Sequence, residues 1–370
     1  MKLTRSEHML FALLKGSLND SVAGQELFVN ASAAEWNQCY TLASKQGVLA
    51  LAWEGVQSLP LELQCPKEQK IKWALSVVKY ESRHRRFCDT VQELQQFYRE
   101  HGIVAVQIKG VGLSAGYNYP HHREGGDIDI FTLSADTSKI SHREATSLAD
   151  KLMEQMGNPV GMHGYKHSNF LFRGIPVENH KCFLNVLINR KFLGNMNELL
   201  HRVLEPREVL LYNGEYRILV PSPLFNTLFI SCHAFQHYGS GIALHHLYDW
   251  ATLLTNHGLH LPDEINNVKF LRAVAAMTHL CNVHMGTDIN LDTFPDGYQE
   301  MADEMLEEML HPVYSNEVHY TGSVKTFVYK TRKVLRSAKL ANDVFGGSIF
   351  GRILESFISH VMHSRPVASE

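Results

Sequence analysis

The chain has 370 residues, of which 45% are hydrophobic and 20% charged, enough to bury the core of one large domain or two without covalent staples. A formal net charge of −3 gives no overall electrostatic reason for a nucleic-acid or membrane-surface partner. Six cysteines (Cys39, Cys65, Cys88, Cys182, Cys232 and Cys281) occur without a CxxC pair, the pattern of free thiols in a reducing compartment rather than of a disulfide framework.

The opening MKLTRSEHMLFALLKGSLND holds only a short apolar run between charges, too short for a signal-peptide core or a membrane span, so a cytoplasmic protein without membrane attachment is expected. From residue 4 to about 101, apolar residues recur at helical spacing in EHMLFALLKGSL, in AAEWNQCYTLASKQGVLALAWEGV and in a long segment that Pro66 opens and Gly102 closes. The pattern then changes to a β-branched run, IVAVQIKG (103–110), a single helix in VGLSAGYNYP ending at Pro120, and a second strand, DIDIFTL (127–133). A helix over SHREATSLADKLMEQMG precedes YKHSNFLFR and IPVENHKCF, two extended runs that Gly174 separates as a hairpin. Asn213-Gly214 marks another hairpin within EVLLYNGEYRILV. Beyond Pro221 and Pro223 the chain returns to helices, the last two being acidic (298–310) and basic (325–339). The expectation is an α+β protein: an N-terminal helical region (1–102), a small mixed-sheet core (103–220) and a C-terminal helical region (221–370).

Strand interiors disfavour aspartate, yet REGGDIDIF sets Asp127 and Asp129 about a single isoleucine. Side chains alternate along a strand, so the two carboxylates share one face while Ile128 and Ile130 point to the other. Paired carboxylates repel, and a hard divalent cation such as Mg²⁺ relieves that repulsion while recruiting phosphate. Lys109 and Gly110, at a strand end leading into a helix, are candidates for binding that phosphate, with Arg123 as a clamp and Gly126 leaving room beside the strand. Glu178 and His180 lie two apart on a later strand, and Glu178 completes a three-carboxylate site if it stands within about 8 Å of the aspartates.

QIKGVGLSAGYNYPHHREGGDIDIF resembles the signature of the uncharacterised bacterial nucleotidyltransferase-like family of the DNA polymerase β superfamily. Lys109-Gly110, Tyr119-Pro120, Arg123, Asp127 and Asp129 follow in that family's order, Glu178 and His180 match its later strand, and CHAFQHY and LYDW are similar to its helical region. The superfamily's second glycine or serine is replaced here by Val111, so no serine hydroxyl is available to a phosphate. The resemblance implies transfer of a nucleoside monophosphate from a triphosphate such as ATP to an acceptor hydroxyl, with release of pyrophosphate. Two Mg²⁺ ions, with Mn²⁺ as a substitute, would be held by Asp127, Asp129 and Glu178, and Lys109, Gly110, Arg123, Gly126 and His180 would contact the nucleotide. A small molecule, a protein side chain and an RNA end all remain open as acceptors. The alternatives are a catalytically silent nucleotide-binding module of the same fold and a DxD glycosyltransferase, which a parallel nucleotide-binding sheet would favour.

Histidine is abundant, with 22 residues, and the adjacent pairs His121-His122 and His245-His246 are expected to point apart. His233 and His237 share a helix face, but without a third ligand in reach a zinc site is disfavoured, and with Asp249 they are expected to line the cleft against the sheet or to be core groups. Lys325, Lys330, Arg332, Lys333, Arg336 and Lys339 are expected to form a solvated face opposite the acidic helix, with a polyanion surface as the alternative.

Overall fold

A computed structural model describes residues 2–19, 24–163, 166–186, 189–239, 241–314 and 323–347. Helices α1 (Arg5–Asn19), α2 (Ala33–Lys45), α3 (Leu49–Ser58) and α4 (Lys67–Glu100) come first. The apolar stretch that runs through residues 33–56 is broken into α2 and α3 because Gly47 takes a φ of +66°, a left-handed conformation that glycine adopts without steric cost. Pro66 caps α4, whose 34 residues run unbroken to Glu100.

Strand β1 (Ile103–Gln107) leads into α5 (Val111–Ser114), a single turn rather than a helix reaching Pro120. Next come β2 (Ile128–Ser134), α6 (His142–Gln155), β3 (Gly161–His163), β4 (His167–Phe172), β5 (Ile175–His180), α7 (Arg190–Val203), β6 (Arg207–Leu211) and β7 (Tyr216–Val220). The expected strand over 165–173 begins at Tyr165, which lies outside the described residues. The chain continues as α8 (Pro223–Gln236), α9 (Leu244–His257), α10 (Val268–Leu280), a wider turn over Cys281–Met285, α11 (Tyr298–Leu310) and α12 (Ser323–Phe345).

The main sheet is mixed, in the order β1-β2-β5-β4-β3. β1 and β2 are antiparallel, β2 and β5 are parallel, and β4 pairs antiparallel with both β5 and β3. β4 and β5 form the expected hairpin about Arg173 and Gly174, which have φ values of 53° and 71°. A second hairpin, β6–β7, turns through Asn213 and Gly214. The mixed α+β architecture expected from the sequence is present, and the sheet is not the parallel, doubly wound kind.

Alternation divides the sheet cleanly. Ile103, Ala105, Ile128, Ile130 and Val177 face a core built with α6, the β6–β7 hairpin and the second half of α4. Val106, Ile108 and Phe131 face a larger core that also holds Met9 and Leu13 of α1, Trp73 of α4, and Phe225 and Phe229 of α8. This larger core draws on all three of the segments expected from the sequence, and α4 contributes to both cores. Residues distant along the chain meet within it: Ser17 Oγ lies 2.7 Å from the Tyr248 hydroxyl, Asn19 donates to the Met285 carbonyl at 3.0 Å, and the Phe11 and His284 rings stack at 4.4 Å. On the basic helix, Arg336 donates to the buried Glu308 of α11 at 2.7 Å, while the side chains of Lys325, Phe327 and Lys330 lie outside the described residues. All six cysteines are unpaired, and no helix among the described residues is long and apolar enough to cross a membrane.

Candidate active site

The parallel register sets Asp129 of β2 directly opposite Glu178 of β5. Asp127 lies just before β2 on the same side, and oxygens of Asp127, Asp129 and Glu178 all lie within 4.8 Å of one another. Three carboxylates separated by 51 positions in sequence thus converge through strand alternation and one parallel pairing.

Asp129 is the deepest of the three, 1% exposed, and a single oxygen of it takes two partners. Lys109 Nζ and His180 Nε2 each stand 2.9 Å from Asp129 Oδ1. Burial works to raise the Asp129 pKa, but the charge of Lys109 and the hydrogen bond from His180 outweigh it and hold the carboxyl below its ordinary range. Lys109 is affected reciprocally: burial opposes its charge, and Asp129 and Asp127 override this and raise its pKa. The side chain of Asp127 has no hydrogen-bond partner among the described residues, and burial, then the neighbouring Asp129, pushes it up to about 6. Glu178 Oε1 lies 3.5 Å from His167 Nε2, and its other oxygen lies 3.4 Å from His180 Nε2. Burial acts to raise Glu178 as well, but the His180 hydrogen bond prevails and its pKa is lowered.

This is a donor set suited to a hard cation. Oxygens from three carboxylates face one another, one of the three carries its charge without a hydrogen-bond donor, and Asp129 and Glu178 are oriented from behind by histidine and lysine. The residues fit Mg²⁺.

The other expected residues fall elsewhere. Arg123 is not directed at the carboxylates: its Nε and Nη2 bind the two oxygens of Asp249 on α9, each at 2.8 Å, and the Tyr117 hydroxyl also donates to Asp249. The guanidinium is committed to a buried ion pair and does not serve as an open clamp. His180 is fully buried behind Asp129 and Glu178, so its described contacts orient carboxylates rather than line an accessible wall. Lys109 likewise sits on Asp129 and not on open space. Gly110 takes φ +63° and ψ −127°, and a Cβ there would approach Gln107 Nε2 to 3.0 Å. Gly126 has no positive φ, and a Cβ built on it meets nothing within 4 Å, so its contribution is open space beside Asp127 rather than a special turn. The one-turn length of α5 gives the loop after β1 little helix dipole to offer an anion.

Sequence reasoning missed three neighbours. His167 pairs with His180 across β4 and β5 and reaches Glu178; burial pulls its pKa down to about 4 against the opposing pull of Glu178. Lys166 is one step further along, its carbonyl accepting from Lys181 N at 2.7 Å. His246 joins His233 and His237, with one ring nitrogen of each within 4.8 Å of the others. The adjacent histidines expected to diverge instead lie close, with ring centroids 3.9 Å apart for His245 and His246 and 4.5 Å apart for His121 and His122. Only alternating acidic and histidine positions were visible beforehand; a third imidazole from another helix leaves no local signal.

The family described as uncharacterised nucleotidyltransferase matches residues 32–286. The chain belongs to this family. Neither a curated protein nor a solved structure matches it. The matched span contains the three carboxylates, Lys109, the Arg123–Asp249 pair and the histidine cluster, and membership supports a general role in nucleotidyl transfer with a nucleotide as substrate.

Proposed function

We propose that this nucleotidyltransferase moves a nucleoside monophosphate from a nucleoside triphosphate to an acceptor hydroxyl, at a site where Asp127, Asp129 and Glu178 hold two Mg²⁺ ions, or Mn²⁺ in their place. The observation that carries this reading is the convergence of the three carboxylates, oxygens within 4.8 Å, on one face of the sheet. The acceptor oxygen bonds to the α-phosphorus, the bond from that phosphorus to the bridging oxygen of the β-phosphate breaks, and pyrophosphate leaves with the electron pair. The metal, when bound, supplies positive charge to the triphosphate and acidifies the acceptor hydroxyl.

The protein's own groups have separable tasks. Lys109 and His180 fix one oxygen of Asp129, leaving the other free to ligate. Glu178, kept ionised by His180, is the base that takes the hydroxyl proton in this reading. Gly125 and Gly126 leave room beside Asp127 for the triphosphate. As in other phosphoryl chemistry, positioning and electrostatics dominate. Val111 in the phosphate loop and the Lys109–Asp129 bond favour a second reading, a silent nucleotide-binding module.

Incubation of the protein with each triphosphate labelled on the α-phosphate, with and without Mg²⁺, separates the two. Metal-dependent pyrophosphate release that disappears in D129N supports transfer. Tight Mg-nucleotide binding by calorimetry with no pyrophosphate released, water included as acceptor, would establish the silent module.

A further inference from the structure

Phe225, Phe229 and His233 of α8, with His237 at its C-cap, recur every four residues and form one stripe. Phe225 and Phe229 pack on Phe183, at 4.9 and 6.2 Å between centroids, and Phe183 lies 4.3 Å from Phe131. Phe131 stands two residues beyond Asp129 and shares its face of β2. The stripe therefore lies over the carboxylate-bearing face of the sheet, and its last two members are imidazoles. His246 of α9 closes the group, its ring centroid 5.8 Å from that of His233 and 5.4 Å from that of His237, with His233 and His237 4.7 Å apart.

Three imidazoles at this spacing suggest a transition metal, but the hydrogen bonding argues against one. Ala243 N–H donates to His246 Nδ1 at 3.1 Å, so the neutral ring carries its proton on Nε2, which then has no lone pair for a cation. That N–H and both ring nitrogens of His233 have no hydrogen-bond partner among the described residues. The charged neighbours point the same way. Burial holds His233 well below the ordinary imidazole range, and Lys109 is the next influence, with Lys166 also contributing. Burial depresses His246 too, with Lys109 again among the causes. Lys109, although bound to Asp129, and Lys166 disfavour a further positive charge at this spot, and neutral imidazoles offer N–H donors to an anion.

We propose that His233, His237 and His246 form a binding site for phosphate oxygens over the carboxylate-bearing face of the sheet, with Lys109 and Lys166 contributing charge from nearby. This rests on the nucleotidyl-transfer reading for its place in the reaction, and it supplies the anion contacts that Arg123, bound to Asp249, does not. The phosphate is either the triphosphate tail or one carried by the acceptor.

Calorimetry with tripolyphosphate and with inorganic phosphate, on wild type and on H233A, H246A, H233Q and H246Q, tests the site. Each alanine change is expected to weaken anion binding about tenfold or more, with glutamine, which keeps an N–H donor, restoring part of it while urea midpoints stay near wild type. Tripolyphosphate binding that a triphosphate displaces assigns the site to the tail; phosphate binding that a triphosphate leaves intact assigns it to the acceptor. Unchanged anion affinity in all four variants overturns the proposal, as does Co²⁺ binding with ligand-field bands that the histidine substitutions abolish. Pyrophosphate release is scored separately: histidine-dependent anion binding without release would sink the transfer reading alone, and release with histidine-independent anion binding would sink this inference alone.

Discussion

Arg123 and Asp249 form a two-pronged ion pair, both contacts 2.8 Å, that ties the loop just ahead of the paired aspartates to helix α9. The arginine side chain is 12% exposed and the aspartate 6%, and Tyr117 adds a third donor to the carboxylate. Removing one partner leaves the other's charge buried and uncompensated. D249A is expected to lower unfolding stability by about 3–5 kcal/mol, measured by urea denaturation. In a double-mutant cycle, the R123A/D249A protein should lose less than the sum of the single changes. Additive losses would mean that the pair carries no coupling.

The carboxylates should be indispensable to turnover and dispensable to folding. D127N and E178Q are expected to reduce pyrophosphate release at least about 100-fold, and H180Q, which touches Asp129 from behind, by about 10–100-fold. Chelation of divalent cations should abolish release and excess Mg²⁺ should restore it. Full activity in D127N would remove Asp127 from the site.

Gly110, in the loop after β1, and Gly126, just ahead of β2, should behave differently. Gly110 holds φ +63° and ψ −127°, so G110A is expected to cost about 1–3 kcal/mol in urea denaturation. A methyl at Gly126 enters open space, so G126A should stay within about 0.5 kcal/mol of wild type. If the triphosphate lies beside Asp127, G126A will nevertheless weaken nucleotide binding in calorimetry.

His84 makes stability depend on pH. It is buried between the Tyr212 and Ser114 hydroxyls, at 2.9 Å from each, and burial pulls its pKa from 6.5 to about 3. Because the folded value lies below the unfolded one, its contribution is complete above pH 6.5 and is lost as pH falls toward 3. A single proton of this kind gives a slope of about 1.4 kcal/mol per pH unit. H84Q should therefore flatten the acid limb of stability measured by urea denaturation across that window. Parallel limbs in wild type and H84Q would contradict it.

What was legible in the residues follows from the range of each interaction. Asp127 and Asp129 sharing a face, and Glu178 and His180 doing the same, need only the two-residue period of a strand. The convergence of the two sets needed one further fact, the parallel pairing of β2 with β5, which α6 makes feasible but does not announce. A lone arginine near an acidic pair invites a phosphate reading of Arg123, while the partner it holds in the structure stands 126 positions later. His246 escaped for the same reason, as did the sharing of one core among segments that composition divides at Gly102 and Pro221.

The contacts that join α1 to Tyr248, His284 and Met285 carry a consequence for biosynthesis. The apolar face of α1 is complete within the first twenty residues, yet Phe11 and His284 are 273 positions apart. During translation α2 and α3 can cover part of this face soon after they emerge, but the part that meets Tyr248, His284 and Met285 stays uncovered until almost the whole family domain has left the ribosome. Contacts of such span close late and slowly, so the nascent chain is most exposed to aggregation and most dependent on chaperones in the interval before residues 281–285 emerge.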